Sequence, residues 1–177
     1  MRRAIFIVCL LLCTAAFADE PRFKNVFGPS TSAGGSFGGD SVFWDVSLNY
    51  IRHVGSAWWI TGYVSREQNQ TEDDSGAEQR ENVYVLGFNV SRSAGERWQF
   101  GGGLSKNVYS DANTNNQNPD RDYKRVGWDD AWSAEATAEY LLWQSGRHVF
   151  TATGGLNYDF DDKDLSPSLE LFYGWAF

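Results

Sequence analysis

From Ser41 onward the chain repeats one pattern: apolar and polar side chains alternate residue by residue, and polar connectors separate the runs. In the first clear run Val42, Trp44, Val46, Leu48 and Tyr50 share one face, while Phe43, Asp45, Ser47 and Asn49 take the other. Successive side chains of a strand point to opposite sides, so a period of two predicts a strand with one oily and one mostly polar face. Ala57 to Ser65 repeats it, with Trp58, Ile60, Gly62 and Val64 against Trp59, Thr61, Tyr63 and Ser65. So do Asn82 to Arg92 (Tyr84, Leu86, Phe88, Val90) and Trp98 to Ser105 (Trp98, Phe100, Gly102, Leu104). From Ala131 to Leu142 the alanines and glutamates suit a helix by propensity, but the strict alternation of Trp132, Ala134, Ala136, Ala138 and Tyr140 with Ser133, Glu135, Thr137 and Glu139 favours a strand. Phe150 to Tyr158 and Leu169 to Phe177 complete the set.

The connectors then set the topology. Those near residues 55–56, 93–97 and 144–147 are tight, whereas those near 66–81, 110–127 and 160–167 are longer and polar. Short and long alternate, as in an up-and-down barrel with short periplasmic turns and longer extracellular loops. The Ser41 strand needs a partner on its other side, and Arg22 to Phe27 is the candidate, with Gly28 to Asp40 as the first outer loop. The expected fold is all-β: an eight-stranded antiparallel up-and-down transmembrane β-barrel.

The amino terminus supports export. Arg2 and Arg3, the apolar stretch Ala4 to Leu12 and the small residues of Ala16-Phe17-Ala18 read as a signal peptide over residues 1–18, leaving residues 19–177 as the barrel. The apolar stretch is too short to span a bilayer as a helix, which takes about 20 residues. Leu12 ahead of Cys13 argues against a lipoprotein signal. Both cysteines, Cys9 and Cys13, lie in the expected signal, so the mature chain has no thiol chemistry. Losing Arg2 and Arg3 makes it more acidic than the whole chain's −8, which argues against nucleic acid as a partner.

A period of two does not say which face is outside. A soluble barrel of the lipocalin kind would turn the oily face inward, around a ligand. The opposite arrangement is expected here, because Asp45, Glu135, Glu139 and Glu170 sit mid-run on the polar face, and Trp44, Tyr50, Trp58, Trp98, Tyr158 and Trp175 bracket the apolar face as interfacial girdles do. The last segment, Leu169-Glu170-Leu171-Phe172-Tyr173-Gly174-Trp175-Ala176-Phe177, resembles the terminal strand of bacterial outer-membrane proteins. With the signal and the loop alternation, the whole mature length resembles the small eight-stranded class typified by the membrane domain of OmpA, OmpX and the opacity proteins. The resemblance implies a Gram-negative outer-membrane location. It also implies that Tyr173, Trp175 and Phe177 form the signal read by the barrel-assembly machinery.

Several groups are candidates for chemistry. Inward carboxylates at Asp45, Glu135, Glu139 and Glu170 could line a narrow cation channel or belong to a hydrated polar network. Arg22 or Lys24 on the first strand could pair with them, depending on its register. Gly87, Gly101, Gly103, Gly155 and Gly174 should face inward, making room for large side chains such as Trp59, Tyr63 or Phe172. Asp111, Asn113, Asn115 and Asp122 place oxygens at calcium-loop spacing, although the loop's Gly is Asn116 and its final Glu is Asp122. Lys106, with Lys124 and Arg125 above it, could meet lipopolysaccharide phosphates at the outer end. A lipid A–modifying enzyme would need a base there, yet the histidines, His53 and His148, flank short turns at the other end. The expected function is therefore non-enzymatic and cofactor-free: envelope integrity or surface interaction through the outer loops.

Overall fold

The computed structural model describes residues 23–37, 41–55, 57–72, 78–114, 131–161 and 163–177; the expected signal peptide lies outside them. Eight strands follow in chain order: β1 (Asn25–Gly35), β2 (Ser41–Val54), β3 (Trp58–Glu72), β4 (Glu78–Ala94), β5 (Trp98–Thr114), β6 (Trp132–Ser145), β7 (His148–Asp159) and β8 (Leu165–Ala176). Each pairs antiparallel with the next, and β1 pairs with β8, so the sheet is a closed barrel. At the seam, Phe177 N–H donates to the Asn25 carbonyl at 2.9 Å and Asn25 N–H to that of Phe177 at 3.2 Å. Closure leaves no unpaired edge.

The first strand differs from the sequence reading. It begins at Asn25, runs through Gly35 and pairs along its length with β2, from Asn25↔Arg52 to Gly35↔Val42. Gly28-Pro29-Ser30-Thr31-Ser32 is therefore wall, not loop. Small inward residues suffice because the large ones come from neighbouring strands. Lys24 is exposed ahead of the strand and supplies no inward cation, and Arg22 lies outside the described residues. The longer connectors also shrink. β3 extends to Glu72, β4 starts at Glu78, β5 extends to Thr114 and β8 starts at Leu165, so most of 66–81 and the edges of 110–127 and 160–167 are paired strand. Backbone hydrogen bonds do not require an oily face, and the ladder outruns the apolar pattern.

The three tight connectors each carry a glycine in the left-handed region: Gly55 (φ 71°), Gly95 (φ 76°) and Gly146 (φ 55°). Two bulges adjust the wall. Tyr84 pairs with Tyr109 and Val85 with Asn107, so Val108 is an extra residue. Lys106 and Tyr109 thereby both face outward, while Ser110, only 1 % exposed, turns in. Leu142 is the extra residue of β6, between Leu141 and Trp143.

Register also fixes the slant. Partner by partner from Gln99, one circuit passes Glu139, Thr153, Glu170, Ser32, Asp45, Glu67 and Val83, and returns to β5 at Ser110. The return is 110 − 99 = 11 residues higher, one of which is the Val108 bulge. A stagger of that size goes with strands tilted by about 40°.

The distribution of polarity is inside-out. Val42, Trp44, Val46, Leu48, Leu86, Phe88, Leu104, Leu156 and Leu171 are exposed on the wall, and Ser30, Ser47, Asn49, Ser65, Asn89, Ser91, Thr151 and Thr153 are buried within it. An apolar ligand-holding interior of the lipocalin kind is excluded. The buried apolar cluster is small: Val26, Phe172 and Ala176, flanked by Phe23, Ile51 and Val149. It fills the interior at the end where the tight turns lie. Gly174 makes the fit possible, since a Cβ there would collide with Val26 and the Phe172 ring.

Candidate functional site

Above that floor lies a cavity of about 550 Å³. The same parity that turns Trp44 and Leu48 outward turns Asp45 inward, so strand alternation alone delivers carboxylates to the interior. All four expected carboxylates line it: Asp45, Glu135, Glu139 and Glu170. Five more join them, Glu67, Glu81, Asp159, Asp161 and Asp164, and among the described residues no Lys or Arg does. Glu67 and Glu81 fell in a stretch read as loop. The available signal was that Glu67 and Asn69 continue the inward parity of Ser65, and Glu81 that of Val83.

Neutral donors hold these groups. The Ser32 hydroxyl donates to Asp45 Oδ2 at 2.5 Å and that of Ser47 to Oδ1 at 3.0 Å. Asn89 Nδ2 donates to Glu135 Oε1 at 2.8 Å, and the Tyr63 hydroxyl to Oε2 at 3.4 Å. Ser110 donates to Glu81. Tyr63 reaches across because Gly87 opposite leaves space for its ring; a Cβ at Gly87 would overlap it. The inward glycines thus serve packing. Donation by serine, asparagine and tyrosine orients each carboxyl group without supplying a counter-charge, and no Lys or Arg side chain faces the chamber among the described residues.

The carboxylates are ordered in space. Glu139, Glu170, Asp45 and Glu67 lie on the climbing row described above, with Thr153 between the first two and Ser32 between the second and third. They form a stair around the wall from near the floor toward the opposite end.

The other candidates fall elsewhere. Asp111 and Asn113 belong to paired β5, opposite Asn82 and Arg80; Asn115 and Asp122 lie outside the described residues. Among the described residues no group of three metal-ligating side chains comes together. Lys106 faces outward with its Nζ 5.5 Å from the Trp132 ring centroid, and Lys124 and Arg125 lie outside the described residues. The outward face near it carries two cations not singled out from sequence, Arg66, opposite Tyr84, and Arg80. Tyr173 and Trp175 are exposed on β8, and Phe177 closes the seam. His148 stands at the tight-turn end, its Nδ1 2.5 Å from the Tyr173 hydroxyl, with its ring edge-on to Trp175. His53 is a strand residue whose ring packs edge-on against Trp59 at 4.7 Å.

No protein-family model matches the chain, and no curated protein matches it. Among solved structures it is similar to a de novo designed transmembrane β-barrel, with 12 % identity and a TM-score of 0.47, covering 90 % of this chain and 100 % of that one. It is also similar to the translocator domain of the autotransporter NalP from Neisseria meningitidis, with 12 % identity and a TM-score of 0.41, covering 99 % of this chain and 94 % of that one. At this distance the likeness is one of shape alone.

Proposed function

We propose that this chain is an integral outer-membrane β-barrel without enzymatic activity, which serves the envelope through its polar outer loops. One observation carries the reading: a closed barrel that buries serines and asparagines while exposing a continuous wall of Leu, Val, Trp and Tyr. In water such a wall would be a very large apolar patch, far beyond what soluble monomers tolerate. In lipid it is matched, and closure satisfies every backbone group there. Aromatics bracket the wall at both ends: Tyr50, Trp58, Trp98 and Trp175 toward the tight turns, Trp44, Tyr84, Tyr109 and Trp132 toward the other end. Tight turns then face the periplasm, and Tyr173, Trp175 and Phe177 stand where the assembly machinery would meet the last strand. At the outer end Arg66, Arg80 and Lys106 face the lipid side, suited to lipopolysaccharide phosphates.

The acidic chamber favours a second reading, a narrow cation conduit. The apolar floor opposes it, since ions do not cross packed Val26, Phe172 and Ala176 without hydration. The test combines membrane fractionation, gel migration with and without boiling, and planar-bilayer recording. Heat-modifiable migration, recovery only in detergent and a silent bilayer are expected. Recovery of the mature protein without detergent overturns the membrane reading; steady cation current at low voltage overturns the closed one.

A further inference from the structure

We infer that the tight-turn end of the barrel carries a belt of cations that binds anionic phospholipid headgroups, such as phosphatidylglycerol, in the lipid layer around it. The inference rests on the membrane reading above and names a partner for it.

Charge is segregated along the barrel. The whole chain has a net charge of −8, yet Lys24, Arg52, Arg92, Arg97 and Arg147 all lie at the tight-turn end. Among the described residues Glu96 is the one acidic side chain there outside the interior, so the rim's side chains sum to 5 − 1 = +4. At the other end the sign is mixed, because Glu72, Glu78 and Asp111 share the ladder with Arg66, Arg80 and Lys106.

The cations are spread around the circumference. They stand ahead of β1, on β2, on β4, in the β4–β5 turn and in the β6–β7 turn. A single compact ligand would meet one or two of them. A shell of headgroups around the cylinder meets them all.

Depth comes from the neighbouring aromatics. Arg52 continues the outward face of Leu48 and Tyr50, and Arg92 that of Phe88 and Val90. The Arg92 guanidinium carbon lies 5.4 Å from the Trp58 ring centroid, and Arg97 Nη1 donates to the Tyr140 hydroxyl at 3.4 Å. Trp and Tyr settle where hydrocarbon gives way to headgroups. Cations seated on or just beyond them stand at phosphate depth, with their stems along apolar surface. Four of the five are arginines, whose planar fork matches phosphate oxygens two at a time.

The mature protein is refolded in detergent and reconstituted into phosphatidylcholine bilayers carrying a trace of spin-labelled phosphatidylglycerol or phosphatidylcholine. Electron spin resonance then reads the fraction of each label immobilised by the barrel. Phosphatidylglycerol should be preferred by at least about three-fold in about 0.02 M salt, and lose that preference in about 1 M salt, where screening acts within about 3 Å. Arg52→Gln, Arg97→Gln and Arg147→Gln combined should abolish the preference, whereas Arg66→Gln with Lys106→Gln should leave most of it. Heat-modifiable migration in pure phosphatidylcholine establishes that each protein is folded and inserted. Should the triple variant not fold, phosphatidylglycerol with a photoreactive headgroup decides on the wild type: adducts must form around Arg52, Arg97 and Arg147. Equal retention of both lipids, an undiminished preference in the triple variant, or adducts confined to the neighbourhood of Arg66 and Lys106 would each overturn the inference while leaving insertion intact. Failure to enter phosphatidylcholine bilayers would overturn the membrane reading, and this inference with it.

Discussion

The two ends of the interior are built from the same alternating strands yet are held together in opposite ways. At the tight-turn end Val26, Phe172 and Ala176 pack into a dry floor whose cohesion is contact, made close by Gly174. A few residues higher, Asp45 and Glu135 are held by Ser32, Ser47, Asn89 and Tyr63 through directed hydrogen bonds around open space. The floor is apolar and close-packed; the chamber is lined by carboxyl groups and leaves a void. An interior this small can thus be packed at one end and hollow above it, because inward parity transmits whatever residue the sequence places there.

Substitutions should separate the two ends, and the floor should respond most. Phe172→Ala removes its largest side chain and should cost about 3–5 kcal/mol, as for other buried aromatics. It should also turn a silent bilayer into a conducting one. Urea-dependent refolding in vesicles measures the first effect and planar recording the second; an unchanged midpoint would show that the floor is not cohesive. At the boundary, Gly87→Val should displace the Tyr63 ring and cost about 1–3 kcal/mol, with Tyr63 losing its reach to Glu135. The chamber should respond least. Glu135→Gln keeps an acceptor for Asn89 and removes a charge, so stability should rise or stay within about 1 kcal/mol. A loss well beyond that would mean the carboxylate has a cationic partner, and the contrast between floor and chamber would fail.

Much of this was legible in the residues. The period of two from Ser41 onward locates β2 to β8, and the four mid-run carboxylates land where alternation puts them. What was illegible depends on pairing. Gly28 to Gly35 offers few apolar residues, and only its partners β2 and β8 make it a strand; Pro29 in particular reads as a breaker. Glu67 and Glu81 were lost because polar residues on both faces look like loop once the ladder rises above the oily belt. The floor was hidden for another reason. Val26, Ile51, Val149, Phe172 and Ala176 come from four strands and meet only on closure. Phe172 by itself was an apolar residue on the polar side. Val108 reverses inside and outside for the rest of β5, and no local property of the segment announces it.

The reciprocal bonds between Asn25 and Phe177 stand at one end of the ladder that joins β1 to β8. In the finished cylinder that junction is one lateral contact among eight, so the circle itself has no origin. Before β8 meets β1 the same eight strands form an open ribbon with two unpaired margins. A product shortened by one strand is therefore not a slightly weaker cylinder but a sheet with two sticky borders, and quality control has a sharp, all-or-none criterion to act upon.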